Sequence, residues 1–75
     1  REGEVAMVVA TVRSAAVKPY RDRRTGHTAY RTEVVADLAD GTIATTFFDR
    51  RVGAAQWRTR QLVPGTRALL SGRFE

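Results

Sequence analysis

Apolar residues recur along this chain mostly at the spacing of strands. Residues 4–17, EVAMVVATVRSAAV, are rich in valine and hold no proline or glycine. They predict a long strand whose first half lacks clean alternation; such a strand is covered on both faces or carries a bulge that switches them. Residues 18–30, KPYRDRRTGHTAY, combine a proline, a Thr-Gly pair and many charges, the composition of a loop or exposed hairpin tip. In YRTEVVADLA, 30–39, Val34, Ala36 and Leu38 share one face, and Arg31, Glu33, Val35 and Asp37 share the other. Asp40-Gly41 then predicts a tight hairpin turn with both central residues at positive φ, followed by a third strand, TIATTFF, 42–48.

After this strand the period changes. Asp49 is a good helix N-cap, and RRVGAAQWRTRQL, 50–62, predicts a short helix. Its inner stripe is Ala54, Trp57 and Gln61 or Leu62, and Gly53 weakens it. VPGT, 63–66, places Pro before Gly as a type II turn requires. TRALLSGRF, 66–74, predicts a fourth strand with Ala68, Leu70, Gly72 and Phe74 on one face.

Strand, strand, strand, helix, strand is the order of the OB-fold, an all-β, small Greek-key barrel with one short helix between its third and fourth strands. The chain is expected to form a single such domain, 1–75, lacking the last strand. On this reading the segment is cut short, or a second chain or adjacent segment completes the barrel.

Charge sharpens the picture. The net charge is +5, from 13 basic and 8 acidic residues. Residues 13–31 hold Arg13, Lys18, Arg21, Arg23, Arg24 and Arg31 against Asp22 alone, whereas the remaining basic and acidic groups balance. A focused, arginine-dominated patch points to a polyanion, because guanidinium suits phosphate; a solvated arginine-rich hairpin is the plainer alternative. The chain has no cysteine, which excludes disulfides and thiolate metal sites and fits a reducing compartment. No apolar run approaches the ~20 residues of a membrane helix.

Enzyme chemistry finds no foothold. His27 stands alone beside Gly26, the glycines form no phosphate-binding motif, and no carboxylate pair or serine triad is in view. The segment reads as a binding module with no catalytic residue, cofactor or metal of its own.

OB-folds bind nucleic acid across the second and third strands and the loop between the first two. A basic groove tracks phosphates there, and aromatic rings stack on bases. Arg21, Arg23 and Arg24 lie in that loop, with Tyr20 and Tyr30 at its ends. In the third strand Ile43, Thr45 and Phe47 share one face, and Thr42, Ala44, Thr46 and Phe48 the other. Ile43 marks the core side, so Phe47 points in and Phe48 out. Phe48 then either stacks on a base or packs under the following helix against Val52. Tyr20 and Tyr30 either contact the ligand or brace the hairpin as a cross-strand pair. Trp57 is expected to plug one end of the core.

The run TIATTFFDRR, with a following Trp and LVPGTRALLSGRF, resembles the OB-fold wedge domain of the RecG family of bacterial ATP-dependent branched-DNA helicases. The likeness rests on the hairpin, the Phe-Phe-Asp strand end (Asn is usual at the third position), the short helix, the L-x-P-G-x-R turn and the final S-G-R. GEVAMVVATVRS is similar to that family's first strand. The resemblance implies a parent helicase in the bacterial cytoplasm, associated with the nucleoid. Its separate motor domains would use ATP and magnesium to regress stalled forks and act on Holliday junctions in DNA repair and recombination. It implies that Phe48, with Phe47 beside it, meets a base at the branch point. Arg21, Arg23, Arg24 and Arg31 would hold phosphates, with Lys18, Arg50 and Arg51 contributing less. Val52 stands where some members carry a second aromatic. Two rival readings are a stand-alone OB-fold that binds single-stranded DNA or RNA, and a protein-interaction module that uses an open barrel edge.

Overall fold

The computed structural model describes residues 5–74. Its elements are β1 (Val5–Arg21), β2 (Thr28–Leu38), β3 (Gly41–Asp49), α1 (Val52–Gln61) and β4 (Arg67–Phe74). All strand pairs are antiparallel. The all-β class and the single helix between the third and fourth strands are therefore as expected.

β1 organises the sheet. Residues Val5–Thr11 pair with β4, whereas Thr11–Arg21 pair with β2, and the register shifts between Val12 and Ser14. Of the two arrangements that the first segment allowed, coverage on both faces or a bulge, this is the bulge: one extra residue reverses the alternation beyond it. It explains why Val8, Ala10 and Val12 lie toward the core before the bulge and Ala15 after it.

The chain around the first hairpin is more strand than loop. β1 runs four residues past Val17, and only 22–27 form the connection. Pro19 is tolerated because this half of β1 has β2 as its one paired strand, so its missing N–H breaks no second ladder. Asp22 N–H donates to His27 O (2.9 Å), Gly26 N–H donates to Asp22 O (2.7 Å), and Gly26 adopts φ 75°. The Asp22 carboxylate also accepts from Arg24 N–H at 2.9 Å, which fixes the tip.

The second hairpin forms where expected, but with different turn chemistry. Leu38 pairs with Gly41, so Ala39 and Asp40 are the turn residues, and neither they nor Gly41 has positive φ. The Asp-Gly pair thus straddles the turn's end instead of occupying its centre. The third turn behaves as predicted: Gly65 has φ 93°, and Thr66 N–H donates to Val63 O at 3.1 Å.

β4 returns to β3 through two residue pairs, Ile43 with Phe74 and Ala44 with Arg73, and the Thr45 hydroxyl donates to Ser71 O. The ring β1-β2-β3-β4 therefore closes through a narrow seam. It is an incomplete OB-like barrel, with four strands and no fifth among the described residues. The core is small: Ala10, Val12, Val34, Ala36, Ile43, Leu62 and Leu70 are buried, with Phe47, Leu38 and Ala68 packed against them. Ala68 and Leu70 share one face as alternation predicted, and that face is the inner one; the Gly72 and Phe74 placements fall outside the described side chains.

The helix is phased one residue away from expectation. Ala55 is fully buried and Leu62 joins the core, whereas Ala54 is exposed and Trp57 is 59% exposed. Trp57 is not a plug. The space between α1 and the sheet accepts the methyl of Ala55, and a larger inward residue would hold the helix away. Asp49 is likewise not the cap. Arg51 occupies the N-cap in extended conformation without a side-chain hydrogen bond. The Asp49 carboxylate instead accepts from Arg58, at 3.2 and 3.3 Å. The same guanidinium lies 4.4 Å from the centre of the Phe47 ring, a cation–π contact. One arginine thus ties α1 to the end of β3.

Candidate functional site

Register decides which side chains meet. Lys18 lies opposite Arg31, and Arg31 opposite Phe48. These three form one row across β1, β2 and β3 on the outer face of the barrel. Tyr20 is two residues beyond Lys18 on the same face, and its ring meets Phe48 edge-on, with centroids 6.1 Å apart and planes at 84°. Phe48 remains 66% exposed. It is not buried under the helix, and Val52 is exposed as well.

Phe47 faces the opposite way, half-buried against the core beneath Arg58. Tyr30 lies opposite Pro19 and Asp49, while Tyr20 lies opposite Ala29. The two tyrosines are on different faces and do not form the cross-strand brace considered above. Phe48, from the third strand, is the ring that Tyr20 meets.

The end of β1, the start of β2 and the end of β3 coincide in space. The hairpin arginines and the segment carrying Arg50 and Arg51 therefore stand at the same end of the sheet as Phe48. Arg23, Arg24, Arg50 and Arg51 are exposed. Together with Arg21, whose Nε donates to Gly26 O at 3.3 Å, they have no ion-pair partner among the described residues.

Lys18 and Arg31 differ. Lys18 Nζ is 2.9 Å from Glu33 Oε1, and Arg31 Nε is 3.0 Å from Glu33 Oε2. Arg31 Nε lies off the line of a hydrogen bond to that oxygen. The hydrogen bond from Lys18 leads in holding the Glu33 carboxyl below its ordinary value of 4.5, with the charge of Arg31 assisting. Alternation had already put Glu33 on the face of Arg31. Its bond to Lys18 depends on the β1–β2 register, which no local pattern reveals.

Farther along the same face the charge reverses. Val35 lies opposite Ser14 and Ala44, and the next row carries Asp37, which pairs with Arg13 at the bulge. Asp40 occupies the far turn. Along β2 and β3 the outer face thus runs from an aromatic and cationic rim to a neutral row and then to Asp37 and Asp40, while Arg67 on β4 stands in the row of Asp37.

Elsewhere, Met7, Val9 and Leu69 are exposed on the outer side of the β1–β4 ladder. A groove of about 480 Å³ lies between α1 and β1, lined by Val17, Gln56, Thr59, Arg60 and Val63. Among the described residues there is no cluster of histidine and carboxylate groups able to hold a metal ion, and no helix long and apolar enough to cross a membrane. Compared with known proteins, the chain matches no family model, no curated protein and no solved structure.

Proposed function

We propose that this chain is a DNA-binding module of the wedge type, serving a RecG-like ATP-dependent helicase that acts on branched DNA in the bacterial cytoplasm. The observation that carries the reading is the outward Phe48, edge-on to Tyr20 and set among the cations of the β1–β2 hairpin and Arg50–Arg51. An exposed ring supplies a stacking surface that accepts any base. Flanking guanidinium groups hold phosphates without selecting sequence. In this reading Phe48 meets a base at the branch, and Arg21, Arg23, Arg24, Arg50 and Arg51 hold the backbone. ATP and magnesium belong to motor domains outside this segment.

The test is fluorescence anisotropy with a forked oligonucleotide and a single strand of equal length, across a range of salt. The proposal expects the fork to bind more tightly. Three to five phosphate contacts give a log–log salt slope of roughly −2 to −4.5. Equal affinity for the single strand favours a stand-alone single-strand binder, and salt-independent or absent binding rejects nucleic acid as the ligand.

A further inference from the structure

We infer that Glu33 is a specificity-determining residue: it bounds the polyanion track and makes a nucleic-acid strand cross the barrel at its rim instead of running along β2 and β3. This rests on the nucleic-acid reading above, but not on the helicase parentage.

The argument starts from the row spacing. Lys18, Arg31 and Phe48 form the first row inward from the hairpin, and Ala16, Glu33 and Thr46 form the second. Glu33 gives one carboxylate oxygen to each cation of the first row, at 2.9 and 3.0 Å. Two positive charges and one negative leave the trio with +1. Phosphate approaching Lys18 or Arg31 must therefore compete with a carboxylate already in place. Beyond Glu33 the third row is uncharged across β1, β2 and β3 (Ser14, Val35 and Ala44), and on β2 the fourth carries Asp37, already paired with Arg13. A backbone confined to β2 and β3 would meet two carboxylates in succession and, on those two strands beyond Arg31, no cation; Arg67, in the row of Asp37, lies two strands away on β4.

Crossing the strands is different. A path over the ends of β1, β2 and β3 spans about 10 Å at the usual strand spacing. It meets the hairpin arginines, Tyr20, Phe48 and then Arg50 and Arg51. The aromatic pair lies between two groups of cations that have no ion-pair partner among the described residues, so a base stacks at the centre while phosphates on either side are held. Glu33 turns a face that could hold a long strand into a rim that holds a short one.

The test compares the wild-type chain with Glu33→Gln, which keeps the side chain's shape and removes its charge. The probe is an oligothymidylate series of increasing length, titrated at several salt concentrations. Wild-type affinity is expected to level off at short lengths. Glu33→Gln should bind several-fold more tightly, keep gaining affinity at lengths where the wild type has levelled off, and steepen the salt slope by roughly 1.4 for two freed cations. Unchanged or weaker binding, or an unmoved length plateau and slope, overturns the inference. A purely structural brace would alter the melt without moving those two readouts. If Glu33→Gln lowers the melting temperature, Glu33→Thr, whose branched side chain suits a strand, repeats the test. An Arg23→Ala/Arg24→Ala double variant separates the two levels. Wild-type binding that depends on these arginines, with Glu33→Gln unmoved, defeats this inference alone. Binding by neither the wild type nor Glu33→Gln defeats the nucleic-acid reading and this inference together.

Discussion

The two faces of the β2–β3 hairpin are built from alternate residues of the same strands, yet different forces arrange them. On the inner face Val34, Ala36 and Ile43 are at most 1% exposed and packed in one cluster. On the outer face, Arg31, Glu33 and Phe48 are partly or largely exposed and are placed by charge and by one aromatic edge contact. Burial fixes the first face because each methylene removed from water contributes about 0.8 kcal/mol. The second face contributes little to stability, since exposed ion pairs are worth about 0–1 kcal/mol. Phe47 and Phe48, adjacent in sequence, belong to these two regimes. A face that stability does not fix is free to carry binding chemistry.

Substitutions that treat the faces alike would break this comparison. The largest effect is expected at Ile43: Ile43→Ala should lower the unfolding free energy by about 2–5 kcal/mol, read from a urea transition. Phe48→Ala should cost no more than about 1 kcal/mol, chiefly the edge contact to Tyr20. Similar losses at both positions would mean that Phe48 is part of the core.

The helix sharpens the same contrast. Arg58→Ala leaves the Asp49 carboxylate, 11% exposed, without its partner, and uncovers the Phe47 ring. A cost of about 1–3 kcal/mol follows. Trp57→Ala should cost less than Arg58→Ala, about 0.5 kcal/mol, because most of Trp57 is exposed. The reverse ranking would restore Trp57 as a core plug.

The smallest effect concerns pH. Glu33 has a folded pKa below its ordinary 4.5. Its ion pairs therefore stabilise the fold above that ordinary value, and the contribution disappears as pH falls through the lowered one. The small difference in melting temperature between the wild type and Glu33→Gln should shrink over that acidic interval. A difference that persists unchanged below it would mean that the Glu33 charge is not its source.

Much of this architecture was legible in the chain because a period of two is rigid. Once Ile43 was assigned to the core, the directions of Phe47 and Phe48 followed. The valine-rich first segment narrowed the choice to coverage on both faces or a bulge, and Pro64-Gly65 marked their turn. The helix was harder, since over ten residues a shift of one position changes every inward side chain. The size of Trp57 suggested burial, but the contact distance at the sheet favoured the small Ala55. The strand character of Lys18–Arg21 was masked by charge and Pro19, which a stretch paired with β2 alone tolerates. The pairs Lys18–Glu33 and Arg58–Asp49 join residues 15 and 9 positions apart. They depend on register and helix phase, so local pattern carried no sign of them.

The central claim is that Phe48 serves binding while Phe47 serves the barrel. The most direct measurement is the affinity of Phe48→Ala for a forked oligonucleotide at fixed salt, taken alongside its thermal melt. Loss of one base stack, about 1–3 kcal/mol, predicts binding roughly 5- to 150-fold weaker with the cooperative melt preserved. Unchanged affinity, or an unfolded variant, would contradict the account.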